Sequence, residues 1–257
     1  MSIASYWKHK VLNFFDPVNN PEFKTGVWAN CPVLAILADP SLALVFEDDF
    51  FAQRSTKAAP AGNWVQVEDD GKTGPDVIAI DGVGGVYHMF CDGDDNDECY
   101  LATVGESWLM ATGKPLWFET KFTFTNSATT AGVFCVGIAN GGGDADTMQD
   151  TEAGPLASYD GFYFFKQSAE TAISFETSLA GAQVTNAALQ TFTSGTTYRL
   201  GVYYDGVTTV TPYVNDVAGT AHTMATNTSQ GNIFFGVKSN GAEEYIAMDY
   251  IKCVQMR

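Results

Sequence analysis

Basic residues are scarce in this chain. Lysine and arginine total 13 against 30 acids in 257 residues, a formal charge of −17. A surface of that sign repels phosphate backbones, which argues against nucleic acid as a partner. Histidine is scarcer still. His9, His88 and His222 stand in different parts of the chain and build no Ser/His/Asp arrangement. The five cysteines, Cys31, Cys91, Cys99, Cys135 and Cys253, are an odd number with no CxxC pair and no zinc spacing. Cys135 and Cys253 sit in apolar strand-like runs and read as core. Cys91 and Cys99 bracket an acidic loop and are spaced to pair across it, or to stay reduced in a reducing compartment. Long apolar runs are missing too. The longest stretch, residues 31–46, is broken by Asp39 and Pro40, so no membrane span is expected. The first residues show no continuous apolar h-region and no A-x-A site, so the expectation is a soluble chain without an export signal. P-loop and dinucleotide fingerprints are absent.

Aromatics, by contrast, make up 13% of residues, ample for a sizeable core. They gather in strand-like runs through the C-terminal half: LWFETKFTF (116–124), VFCVGIA (133–139), DGFYFF (160–165), ISFET (173–177), YRLGVYYDG (198–206), VTPYVND (210–216), IFFGVK (233–238) and the closing YIAMDYIKCVQMR (245–257). Gly, Asn, Asp, Ser and Thr fill the gaps, and no amphipathic helix intervenes. Period-2 alternation sets Leu116, Phe118, Phe122 and Phe124 on one face, with Trp117, Glu119 and Lys121 on the other. An all-β sandwich of two antiparallel sheets follows, its core including Phe118, Phe122, Phe124, Leu200, Val202 and Phe235. Shorter strands are expected in VFEDDFF, WVQVED, VIAID and GVYHMF, while YLATVGESWLMA (100–111) is ambiguous between helix and strand.

Residues 1–45 differ in character. They balance three lysines against three acids, so the entire −17 lies in residues 46–257. Tyr6, Trp7, Leu12, Phe14 and Phe15 suit a short amphipathic helix over residues 2–15, stopped by Asp16-Pro17. Two domains are expected: an N-terminal arm, 1–45, partly helical or irregular, and a sandwich, 46–257. The apolar residues of the arm, Val11 among them, either pack on the chain's own surface or dock on another chain.

The order VFEDDF, LWFETKFTF, VFCVGIA, a Gly/Asp loop, YDGFYFFK, YRLGVYYDG, VTPYVND and MDYIKCVQMR resembles the concanavalin A-like jelly roll of lectins, glucanases and laminin-G domains. More narrowly, it resembles the jelly-roll virion proteins of tailed bacteriophages. That resemblance covers residues 46–257. It implies a non-enzymatic structural protein of the virion, assembled in the host cytoplasm: a capsid decoration, cement or fibre protein. Such a protein would be a homo-oligomer contacting the major capsid protein or other virion proteins through Tyr6, Trp7, Leu12, Phe14 and Phe15. The alternative is a lectin or adhesin for host surface glycans.

Three loci carry candidate chemistry. In CDGDDNDEC (91–99), Asp92, Asp94, Asn96 and Glu98 offer oxygens at alternate positions, a spacing that suits Ca²⁺. The EF-hand pattern fails, since Asp97 stands where glycine is required and Thr103 where the last acid should be. Without Ca²⁺ the segment is a solvated acidic loop. For a glycan, Tyr203 and Tyr213 lie in consecutive strands on one face, and Asp160 closes the long Gly-rich loop 140–161. Catalysis finds little support. No E-x-D-x-E strand of the laminarinase type occurs among FEDDF, FETKF and FETSL, and no Q-x-H of the alginate-lyase type is present.

Overall fold

The computed structural model describes residues 26–50, 62–68, 81–82, 85–91, 96–126, 132–144, 147–151 and 153–257. In chain order its strands are β1 (Ala43–Asp48), β2 (Trp64–Glu68), β3 (Asp81–Gly82), β4 (Val86–Cys91), β5 (Glu98–Thr103), β6 (Leu116–Asn126), β7 (Val133–Ala139) and β8 (Gly161–Lys166). They continue with β9 (Ala172–Leu179), β10 (Ala182–Thr191), β11 (Thr197–Tyr204), β12 (Thr209–Val214), β13 (Val217–Ala218), β14 (His222–Thr223), β15 (Asn232–Lys238) and β16 (Glu244–Met256). Among the described residues one short α-helix, α1 (Val33–Ala38), precedes them.

The strands form the two expected antiparallel sheets. A nine-stranded sheet runs β13-β12-β11-β6-β16-β4-β3, with β1 added beside β16 and β14 beside β12. A seven-stranded sheet runs β10-β9-β8-β7-β15-β5-β2. The long β16 organises the first sheet. It pairs with β6 from Glu244 opposite Asn126 to Gln255 opposite Leu116, and its other edge takes β4 and then β1. A bulge between Met248 and Tyr250 lets one strand serve both neighbours.

Alternation decides which side chains meet. Phe118, Phe122 and Phe124 of β6 point at the opposite sheet and are fully buried, as are Leu200, Val202 and Phe235. Phe118 meets Phe162 edge-on at 5.6 Å, and Phe122 and Phe124 each meet Phe134 at 5.1 Å. Such tilted ring pairs add about 0.5–1.5 kcal/mol beyond the area they bury. The seven-stranded sheet is unusual in burying both faces at its centre. Every residue of β7 and β8 is buried, because Met148 and Tyr159 of the following loop pack across the face away from the core. That is why VFCVGIA and GFYFFK read as continuous apolar runs.

Three details differ from the sequence expectation. β10 was not foreseen: eight of its ten residues are exposed, so it shows no apolar alternation. The ambiguous stretch 100–111 is strand only to Thr103, then turns, and Trp108 bridges to Gly231. Cys91 and Cys99 do not pair. They sit on different sheets, both are buried and outside any disulfide, and Cys91 Sγ donates to the Val237 carbonyl at 3.0 Å.

Residues 27–42 form two 3-10 turns and α1, which lie on the outer face of the nine-stranded sheet. Val27 and Ile36 are buried there with Trp117 and Val254. Asp39 caps the second turn by accepting from the Ser41 backbone N–H at 3.0 Å. The boundary expected at 45/46 falls inside β1. The helix expected over residues 2–15, with Tyr6, Trp7, Leu12, Phe14 and Phe15, lies outside the described residues.

Two outcomes are expected. Phe122→Ala should cost about 3–5 kcal/mol in chemical denaturation, since its ring is wholly enclosed. His222 is buried, its Nδ1 is hydrogen-bonded to Thr177 Oγ1 at 2.9 Å, its Nε2 has no hydrogen-bond partner among the described residues, and burial lowers its pKa. The folded state therefore prefers the neutral ring, and the unfolded chain takes up the proton first on acidification. Stability from this group is present above the ordinary histidine value of about 6.5 and is lost as pH falls through the lowered one. The melting temperature should begin to drop as pH falls through about 6.5 and go on dropping towards the lowered value, and His222→Asn should flatten that slope.

Candidate functional site

The candidate site grows from the outer face of the seven-stranded sheet. Tyr159, in the loop that crosses this face, stacks on Tyr163 of β8 with centroids 4.1 Å apart and planes 9° apart. Tyr163 in turn meets Phe234 edge-on at 4.8 Å. In register beside Tyr163 stands Glu176 of β9, and beside Glu176 stands Thr185 of β10. Glu176 is 6% exposed and fully engaged. Its Oε1 accepts from Tyr159 OH at 3.0 Å and from Gln183 Nε2 at 2.8 Å, and its Oε2 from Thr185 Oγ1 at 2.6 Å. Burial raises its pKa, and the hydrogen bonds from Thr185 and Tyr159 hold the rise back. Burial likewise pushes the Tyr159 and Tyr163 hydroxyls well above the ordinary value, so both stay protonated donors.

Next to this carboxylate the loops at one end of the sandwich converge. Asp160 Oδ1 accepts from the Ala180 N–H at 2.6 Å, and its Oδ2 from Ser229 Oγ at 2.7 Å. The Asp160 carbonyl accepts from the Asn140 N–H at 2.9 Å. Asn140 Nδ2 and the Gly141 N–H both donate to Glu106 Oε1, at 3.1 Å and 2.9 Å. Gln183 also donates to the Leu156 carbonyl at 2.9 Å, tying β10 to the same loop. Glu106, Asn140, Ser158, Gln183, Thr185 and Gln230 are exposed, while Asp160 and Ser229 are half-buried. The result is a rim of carboxylates, amides and hydroxyls held in fixed directions, able to exchange hydrogen bonds with a polyhydroxylated ligand. Glu176 has serines two residues to either side on its strand face, so β9 presents no second carboxylate beside it.

The residues expected from sequence for a glycan are not brought together. Asp160 belongs to the rim just described. Tyr203 and Tyr213 share a face, as parity requires, but it is the outer face of the other sheet. There Tyr203 stacks on Trp117 at 5.5 Å, and both tyrosines pack with Val27, Trp28 and Cys31. Their rings are half-covered by the chain's own N-terminal turn. Glu106, Glu176, Gln183, Thr185 and Ser229 were missed as a set, because their convergence depends on loops and on β10, which carry no periodic signal.

Of the oxygen donors expected for Ca²⁺, Asp92 and Asp94 lie outside the described residues. Asn96 takes a left-handed φ of 65° and its N–H donates to the Ser239 carbonyl at 3.1 Å. Glu98 turns inward. It forms an ion pair with Lys238, each side chain 1% exposed, and Tyr100 OH donates to its Oε2 at 2.8 Å. Lys238 also reaches Asp150 Oδ1 at 3.2 Å. Burial pulls the Lys238 ammonium down, but the Glu98 and Asp150 carboxylates outweigh it and leave its pKa above the ordinary lysine value. Among the described residues no group of three or more His, Cys, Asp or Glu is placed to hold a metal.

Lys238→Met should therefore destabilise by about 3–5 kcal/mol, since it strands a buried carboxylate, and adding Glu98→Gln should recover part of the loss. With Glu98 committed to Lys238, chelation should leave the melting temperature unchanged. A drop that Asp92→Ala with Asp94→Ala abolishes would instead establish calcium at the loop.

No protein-family model matches the sequence, and no curated protein matches it. Solved structures do match in fold. The carbohydrate recognition domain of Emp46p, in its metal-free form, superposes with a TM-score of 0.55 at 12% identity, covering 81% of this chain and 95% of that one. The seed lectin of Lotus tetragonolobus superposes at 0.54 with 9% identity over 83% of this chain and 99% of the lectin. The β-glucanase of Bacillus licheniformis also reaches 0.54, at 10% identity over 83% and 98%. This chain is thus an all-β sandwich with the concanavalin A-like architecture that these lectin domains and a glucanase share.

Proposed function

We propose that this chain is a carbohydrate-binding module that recognises glycans at the rim formed by Glu106, Asn140, Asp160, Gln183 and Ser229. The observation that carries this reading is the convergence of directed hydrogen-bonding groups from five chain segments at one end of the sandwich. Their ligand-facing chemistry is acceptor-rich and uncluttered by lysine or arginine, which suits sugar hydroxyls and not anions. The shared fold with lectin domains supports the class. Binding without hydrolysis is the version favoured here. Glycoside hydrolysis uses a pair of carboxyl groups flanking one bond, about 5–9.5 Å apart, and the face of β9 offers Glu176 alone, with both oxygens already occupied.

The resemblance in strand order to tailed-phage virion proteins supports placing such a module on a particle, where it would act as an adhesin. Mass spectrometry of purified particles tests that placement separately.

A glycan array probed with the full chain should give a defined set of oligosaccharides. Asp160→Ala and Asn140→Ala should weaken binding to them at least tenfold, about 1.4 kcal/mol, while the melting temperature stays near that of the unaltered chain. The bound glycans should be recovered intact after long incubation. Release of reducing ends would move the reading to a hydrolase, and an empty array would remove it.

A further inference from the structure

Two tracts that meet along one lateral side of this acidic sandwich contain no charged residue. β10 ends the seven-stranded sheet, and among the described residues it pairs with β9 alone. Residues 177–198, which contain it, include no Asp, Glu, Lys or Arg, and residues 217–237, which contain β13 and β14, include none either. The two tracts meet along one side of the molecule. Asn186 Nδ2 donates to the Thr220 carbonyl at 2.6 Å, and an open groove of about 470 Å³ runs between residues 186–189 and residues 218–220. Val184 is 47% exposed and Val217 71%.

An exposed edge strand without lysine, proline or an inward charge is a template for another strand. Over most of its surface a body of charge −17 repels a copy of itself, and along these two tracts no charged residue does. Residues 182–186 keep regular register with β9, and the bulge that bends the strand, where Ala188 takes a φ of 55°, begins only after them. We infer that residues 182–186 pair antiparallel with the same residues of a second copy across a two-fold axis, joining two seven-stranded sheets into one continuous sheet. A two-fold interface sets each residue against its own kind, which an uncharged strand tolerates and a charged one does not. Gln183 and Thr185 point to the outer face beside Glu176, and Val184 and Asn186 point the other way, towards the groove. Edge pairing therefore leaves the proposed glycan rim open and places two rims on one sheet surface, where a multivalent glycan would be held by both. The pairing itself does not depend on the glycan reading.

Sedimentation and light scattering of the full chain should give twice the 27.7 kDa chain mass. The dimer should tighten as salt screens the remaining acidic repulsion. Val184→Asp places two carboxylates against each other and should yield a monomer with unchanged far-ultraviolet circular dichroism, and mixing it with Val184→Lys should restore a heterodimer. Hydrogen exchange of the unaltered chain gives a readout free of any variant: amides 182–186 should exchange faster on dilution. A chain that stays monomeric at its highest concentration, a folded Val184→Asp dimer, or exchange at 182–186 that ignores concentration would each overturn the inference.

Discussion

The stack of Tyr159 on Tyr163 is the contact on which the candidate site depends. The loop segments that carry Met148 and Tyr159 lie across the outer face of the seven-stranded sheet, and without an anchor Asp160 would not be held in one place. The two phenol rings, 4.1 Å apart and nearly parallel, are that anchor. Around them the loop is stitched by a bridge between Met148 and Pro155, by Gln149 donating to the Pro155 carbonyl at 2.7 Å, and by Gln167 reaching the Ala153 carbonyl. The Tyr159 hydroxyl then fixes one oxygen of Glu176, and the next residue, Asp160, closes on Ser229 and Ala180. Packing on one side of the loop thus becomes hydrogen-bond geometry on the other.

The same sheet holds a second kind of constraint. Lys238, Glu98 and Tyr100 form a buried polar group under the loop, and on the opposite, core-facing side of β8 Lys166 is enclosed with its ammonium on the Gly132 and Gln167 carbonyls, beside the ring of Phe192. Desolvating such groups offsets much of what their attraction contributes, so they add little net stability. What they do is penalise any arrangement in which they are separated. A loop lifted from the sheet would expose Lys238 to water and leave the Asp150 contact broken. The acidic surface acts in the opposite sense, since its −17 net charge weakens compactness slightly while keeping copies apart wherever charge is dense.

How much of this was legible in the sequence follows from the physics of each element. β6 and β11 were legible because one face is core and the other is not, so Phe118, Phe122, Leu200 and Val202 fall on alternate positions. β7 and β8 were legible as uninterrupted apolar runs because both their faces are covered. β10 was not, because neither of its faces is buried, so its side chains show no apolar alternation and are used through polar contacts. Losing β10 meant losing Gln183 and Thr185, and with them the role of Glu176. Asp160 was found because a Gly/Asp pair before a strong strand marks a loop end. The shared face of Tyr203 and Tyr213 followed from parity, but parity says nothing of Val27 and Trp28 arriving from far away in the chain to cover it. Glu98 and Lys238 are 140 residues apart, and no local pattern announces that they meet.

The central claim is that a glycan occupies the rim around Asp160 on the seven-stranded sheet side. Amide chemical-shift mapping of the isotope-labelled full chain, titrated with an oligosaccharide that it binds, tests this most directly. The account predicts saturable shifts at residues 106, 140–141, 156–160, 180–185 and 229–230, with residues 203 and 213 unmoved. Shifts centred on residues 203 and 213, or none that saturate, would contradict it.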